Sequence, residues 1–129
     1  MIEVVCGVIR DGEGRVLACR RSAERHLGGL WEFPGGKVDA GESYEAALVR
    51  ELMEELAISV EVSGQVGEPV VWSDEKVTIR LTAFFCEISE GQPVAIDHSE
   101  IRWCRQEEME RLDWAEADLP ILETLRCSF

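Results

Sequence analysis

Basic residues are scarce in this chain. Thirteen Lys and Arg stand against 26 Asp and Glu in 129 residues, a formal net charge of −13. No Lys/Arg run breaks that acidity, which excludes sequence-independent binding to long nucleic acid, since such binding rests on neutralising phosphates. No apolar run approaches the ~20 residues of a membrane-crossing helix. The chain starts straight into the strand-like Met1-Ile2-Glu3-Val4-Val5 rather than a signal-peptide pattern. Cys-x-x-Cys is absent. Cys6, Cys19, Cys86, Cys104 and Cys127 are isolated and odd in number. They favour reduced, mostly buried thiols over a disulfide framework, with a zinc or redox role as the lesser alternative. A reducing, cytoplasmic setting is the expectation. Internal repeats, low-complexity tracts and linkers are also missing, and the length suits one core but not two, so a single domain over 1–129 is expected. Monomer and homodimer both stay open.

What is present reads as alternating strands and helices. Residues 2–10 form a nearly continuous β-rich run, suited to a central strand buried on both faces. Asp11-Gly12-Glu13-Gly14 is a hairpin turn, and residues 15–21 return as a strand ending in Arg20-Arg21. Strand pattern follows over 59–72, with breaks at Ser63-Gly64 and Gly67-Glu68-Pro69. It recurs over 76–88, where Val77, Ile79, Leu81, Ala83 and Phe85 alternate with other residues, and over the short run 101–104. Helices are expected at 107–112 and from Leu119 or Pro120 onward, proline being favoured in a first helical turn.

The most informative stretch is 36–58. Gly35 and Gly36 lead to a helix from about Ser43, a suitable N-cap, to about Leu56. At about 100° per residue, Glu51, Glu54, Glu55 and Ala47 share an arc of roughly 100°. Leu48, Val49, Leu52, Met53 and Leu56 form the other, apolar side. Glu51 and Glu55, spaced i,i+4, cost an isolated helix about 0.2–0.5 kcal/mol by repulsion. A cation offsets that repulsion, and carboxylate oxygens suit a hard ion such as Mg²⁺ or Mn²⁺. The alternative is a solvated acidic face. The glycines of Pro34-Gly35-Gly36 either permit positive φ and close approach to a ligand, or form a plain tight turn.

The combined spacing is more specific than its parts. Gly36 is followed after five residues by Glu42 and after seven more by Arg50-Glu51-Leu52; Glu54-Glu55, Ala57 and Ile58 complete it. This pattern resembles the Nudix box, with Ala57 where that family usually has a helix-ending glycine. Arg20-Arg21, the run from Leu30 to Lys37 and the segment from Ala117 to Leu122 are similar to the MutT branch, which includes enzymes acting on 8-oxo-dGTP and on CTP. The resemblance implies an α/β/α sandwich around a mixed sheet. It also implies hydrolysis of a nucleoside triphosphate to the monophosphate and pyrophosphate, with no stable nucleic-acid or membrane partner. Carried over by position, Glu51, Glu54 and Glu55 would hold Mg²⁺, or Mn²⁺ in its place, with a carbonyl of Gly35 or Gly36 as a further ligand. Arg50 would orient a box carboxylate, and Glu42 would support the loop. The general base would be a box glutamate such as Glu54 or a group on a distant loop: Glu100 first, with Asp97 and His98 as alternatives. Arg21 and Phe33 would line the nucleoside site. Asp118 would read the base edge, or else cap the last helix. Trp31, Trp72, Trp103 and Trp114 are core residues by default, with Trp72 also a candidate for stacking on a base. Hydrolysis of ADP-ribose, a nucleotide sugar or a dinucleotide polyphosphate is a second reading, and a non-catalytic nucleotide sensor a third.

Overall fold

The computed structural model describes residues 1–127. Its spine is a parallel pair, β1 (Ile2–Arg10) and β7 (Thr78–Glu90), in unbroken register from Ile2↔Ile79 to Arg10↔Glu87. The other strands are β2 (Val16–Arg21), β3 (Trp31–Glu32), β4 (Gly35–Lys37), β5 (Ser59–Gln65), β6 (Val70–Ser73) and β8 (His98–Cys104). All their ladders are antiparallel, which makes the eight-stranded sheet among the described residues mixed.

Strand β1 is buried on both faces because its side chains alternate between two cores. Val5 and Ile9 meet helix α1 (Tyr44–Leu56) through Leu48, Leu52 and Leu56. Cys6 and Val8 face the opposite way, toward Trp31, Trp114 and helix α3 (Leu119–Arg126) with Ile121, Leu122 and Leu125. The short α2 (Gln106–Met109) adds Met109 to that second core. Each leucine so buried contributes about 1.5–3 kcal/mol. The result is the α/β/α sandwich. No helix among the described residues is long and apolar enough to cross a membrane. The five cysteines are free, four of them buried, and burial pushes the Cys86 thiol up to about 12.

Several expectations are corrected. On α1, Val49 and Met53 are exposed (38% and 47%), whereas Ala47 and Glu55 are buried. Leu48, Leu52 and Leu56 are buried as expected, but the buried arc is rotated toward Ala47 and Glu55, which take the places expected for Val49 and Met53. Strand β8 begins at His98, three residues before the expected start, so His98 and Glu100 are strand residues rather than loop residues. Helix α2 ends at Met109, short of Leu112. Gly35 and Gly36 are not among the residues with positive φ. They are required for close approach to the chain itself: a Cβ on Gly35 would lie 1.9 Å from the Val5 carbonyl oxygen, and one on Gly36 2.4 Å from the Glu51 carboxyl carbon. Strand β4 thereby lies flush on β1, paired Val5↔Gly36 and Cys6↔Gly35.

Ser43 caps α1 as expected, its Oγ accepting the Ala46 N–H at 3.1 Å. At the other end Ala57 adopts the left-handed conformation, φ 58° and ψ 38°, while its N–H reaches the Met53 carbonyl. A Cβ is unfavourable there. Ala57→Gly is therefore expected to stabilise the protein by about 1 kcal/mol, read as a higher midpoint in urea denaturation. An unchanged or lower midpoint would contradict this account of the cap.

Candidate active site

Arg50 organises the carboxylates of α1. Its Nε and Nη2 donate to the two oxygens of Glu42 at 2.7 and 3.0 Å, a bidentate pair. Its Nη1 donates to Glu51 at 2.9 Å, and Nη2 also reaches the Lys37 carbonyl at 3.1 Å. The Arg50 hydrogen bond, helped by the Asp39 N–H, lowers the Glu42 carboxyl to about 2. Glu54 is held only loosely, at 3.4–3.5 Å, and its side chain is 58% exposed. Glu55 is turned inward and accepts the Gly35 N–H at 3.1 Å.

Glu51 and Glu55 thus meet β4 at Gly36 and Gly35. Among the described residues, no three His, Cys, Asp or Glu side chains converge closely enough to hold an ion, because Arg50 draws Glu51 and Glu54 toward itself. The donor chemistry nevertheless fits a hard divalent cation. Burial first, then the charges of Glu32 and Glu51, push the Glu55 carboxyl up to about 8. At neutral pH that group takes a proton unless a cation substitutes for it.

Beside the two glycines opens a cleft of about 290 Å³, lined among others by Arg21, Phe33, Trp72 and Asp118. Asp118 comes from the N-terminal end of α3, yet its side chain makes no capping bond there. Its Oδ1 accepts the Phe33 N–H at 3.0 Å instead. Burial is the main reason its carboxyl rises to about 8, and Glu32 adds to it; the Phe33 N–H and Arg21 oppose the rise without cancelling it. The Phe33 ring is held against Trp114, with centroids 4.6 Å apart. Trp31 and Trp114 are core residues, Trp103 is half-buried, and half-buried Trp72 is the tryptophan that reaches the cleft.

A family model of the NUDIX domain matches residues 2–125. The chain belongs to that family. Among relatives, the CTP pyrophosphohydrolase of Escherichia coli (strain K12) is 41% identical over 126 residues, covering 95% of this chain and 90% of the relative. A putative 8-oxo-dGTP diphosphatase 2 of Mycobacterium tuberculosis (strain H37Rv) is 40% identical over 118 residues, 89% of this chain and 81% of that one. The crystal structure of a MutT NUDIX hydrolase from Burkholderia pseudomallei superposes with a TM-score of 0.86 at 25% identity, covering 96% and 97% of the two chains. The spacing of the box thus sits on a Nudix hydrolase with MutT-like relatives.

In this Nudix hydrolase, a residue that sequence reasoning passed over stands at the cleft wall. Glu32 accepts from Arg21 Nη1 at 2.6 Å and contacts His98 Nε2 at 2.8 Å. Burial would raise its carboxyl, but the His98 hydrogen bond and the Arg21 charge outweigh that and hold it below its usual value. The available signal was an acidic residue wedged between aromatic Trp31 and Phe33. His98 is fully buried, and Asp97 touches Ser22 through its carbonyl. Glu100 points to Arg102 at 2.9 Å and Arg20 at 3.9 Å, and it is not among the residues lining the cleft. Arg20 also donates to the Gly29 carbonyl, so of the two paired arginines it is Arg21 that reaches the cleft.

The raised Asp118 carboxyl has a stability consequence. Between the ordinary carboxylate range and about 8, the folded state holds a proton that the unfolded state has released, so stability falls as pH rises through that window. Asp118→Asn keeps the Oδ1 acceptor for the Phe33 N–H and removes the titration. Urea denaturation from pH 5 to 9 should show a shallower decline for Asp118→Asn than for wild type. Parallel curves would mean that Asp118 titrates normally.

Proposed function

We propose that this Nudix hydrolase cleaves nucleoside triphosphates to the monophosphate and pyrophosphate, removing oxidised or otherwise modified nucleotides such as 8-oxo-dGTP or modified dCTP from the pool. The observation that carries this reading is the single cleft running from Gly35 and Gly36, against which Glu51 and Glu55 lie, to the Asp118–Phe33 pair. Phosphate chemistry and base recognition then fall at its two ends. The relatives' names, which specify CTP and 8-oxo-dGTP, support the substrate class.

Glu51, Glu54 and Glu55, with a carbonyl of Gly35 or Gly36, would hold Mg²⁺ or Mn²⁺, which when bound polarises phosphate oxygens and lowers the pKa of an attacking water. Arg50 fixes Glu42 and Glu51 and leaves Glu54 loosely tethered. Glu54 is the exposed carboxylate of the three and is the group we assign to take the proton from water; Glu100, engaged by two arginines, is not. Arg21 faces the nucleotide from the cleft wall. Asp118, protonated below about 8, can donate to a base edge, and above it can only accept. Base preference is therefore expected to depend on pH.

Three measurements test this reading. A panel of canonical and damaged (d)NTPs with Mg²⁺, assayed separately for pyrophosphate and orthophosphate, should release pyrophosphate; orthophosphate as the product would refute cleavage at the inner phosphoanhydride. Glu54→Gln should lower kcat by at least ~100-fold, the scale of losing one preorganised electrostatic group, and near-normal turnover would remove Glu54 from the mechanism. Asp118→Ala should reorder the preferred bases more than it slows the best one. A uniform loss on every nucleotide would leave Asp118 a structural role only.

A further inference from the structure

His98 has no evident reason to be a histidine if it serves only the core. Its side chain is 0% exposed, and among the described residues its Nδ1, also buried, has no hydrogen-bond partner. A leucine or methionine would fill the same space without stranding a polar nitrogen, so the feature that requires imidazole is Nε2, 2.8 Å from Glu32 Oε2. Ionised Glu32 can only accept, so Nε2 carries a hydrogen and donates it to the carboxylate.

Glu32 is then held at both oxygens, by His98 on Oε2 and by Arg21 on Oε1. Arg21 is in turn held at two points, donating from Nη1 to Glu32 and from Nε to the His26 carbonyl at 2.8 Å. Among the described residues Nη2 makes no hydrogen bond, and Arg21 lines the cleft. Backbone geometry independently brings two of the three together. The β2–β8 ladder runs in register from Val16↔Cys104 to Arg20↔Glu100 and then slips, so that Arg21 pairs with His98 rather than Ser99. Such a bulge re-aims side chains next to functional sites.

We infer that His98 and Glu32 are positioning residues: buried His98 fixes Glu32, Glu32 fixes Arg21, and Arg21 presents its remaining guanidinium N–H groups to the nucleotide. The substrate half of this inference rests on the proposed function, whereas the fixation of Arg21 does not.

Three variants and two readouts decide it. His98→Leu fills the space without a donor, His98→Gln restores an N–H at similar reach, and Glu32→Gln keeps the shape while removing the charge that grips Arg21. In nitrogen-15 spectra without nucleotide, separate Arg21 guanidinium signals, the mark of a fixed group, are expected in wild type and His98→Gln. They should be averaged in His98→Leu and Glu32→Gln. In kinetics on the best triphosphate, His98→Leu should raise KM about tenfold, the scale of one weakened charge-assisted hydrogen bond, with kcat within about threefold and recovery in His98→Gln. Fixed Arg21 signals in both His98→Leu and Glu32→Gln would overturn the relay. So would an unchanged KM in His98→Leu, or a loss of thermal stability without the KM effect. Should His98→Leu fail to fold, Glu32→Gln carries both readouts. If wild type hydrolyses no triphosphate, the proposed function falls, and the Arg21 signals alone decide whether His98 and Glu32 fix the arginine.

Discussion

The site depends on one close approach, that of strand β4 to β1 on one side and to the carboxylates of α1 on the other. Gly35 sits where any side chain would collide with the Val5 carbonyl, and Gly36 sits where one would displace the Glu51 carboxyl. Without those two absent side chains, β4 could not lie flat in the sheet while Glu51 and Glu55 rest against it. The parallel β1–β7 pair gives β4 its platform. The leucines of α1 press the carboxylate-bearing helix onto that platform from the α1 side. Packing therefore brings acidic groups together against their mutual repulsion.

Two arginines govern how that repulsion is distributed. Arg50 gathers Glu42 and Glu51 at the helix and touches Glu54 at longer range. Arg21 neutralises Glu32 on the cleft wall. Among the described residues neither Glu55 nor Asp118 forms an ion pair with these arginines, and burial raises both to about 8, the Arg21 charge opposing the rise at Asp118 without cancelling it. A pair of carboxyls that ionise so reluctantly, one beside the box and one beside the Phe33 N–H, gives the cleft two ends with different chemistry. Under the proposed function, the first would exchange its proton for a cation, and the second would switch between donor and acceptor with pH.

Much of this was readable in the order of residues. Ser43 marked the helix start, the β-rich run of residues 2–10 marked the central strand, and Pro120 marked the last helix, because capping, branching and fixed φ are local properties. The spacing from Gly36 to Ile58 pointed to the family for a related reason: one helical turn after another, it dictates which carboxylates share a surface. Other features were not readable. Nothing local in Glu55 distinguishes a buried carboxylate from an exposed one, and Val49 and Met53 look like core residues until the sheet is seen to centre on Leu48 and Leu52 and to reach Ala47 and Glu55 instead. Glu100 and His98 sit in a polar stretch that reads as loop, and only pairing with β2 makes it strand.

The sequence by itself therefore determined the central strand, the carboxylate helix and its glycine-rich approach, since these follow from contacts within a few residues of one another; the short strands β3 and β4 and the start of β8 do not. Tertiary structure alone decided that Asp118 would answer the Phe33 N–H rather than cap its own helix, and that Arg21, Glu32 and His98 would form one chain of contacts. Those partners lie far apart along the polypeptide, as much as 85 residues in the case of Asp118 and Phe33. Which of them meet depends on strand register and on a single bulge, and neither is encoded in the type of any one residue.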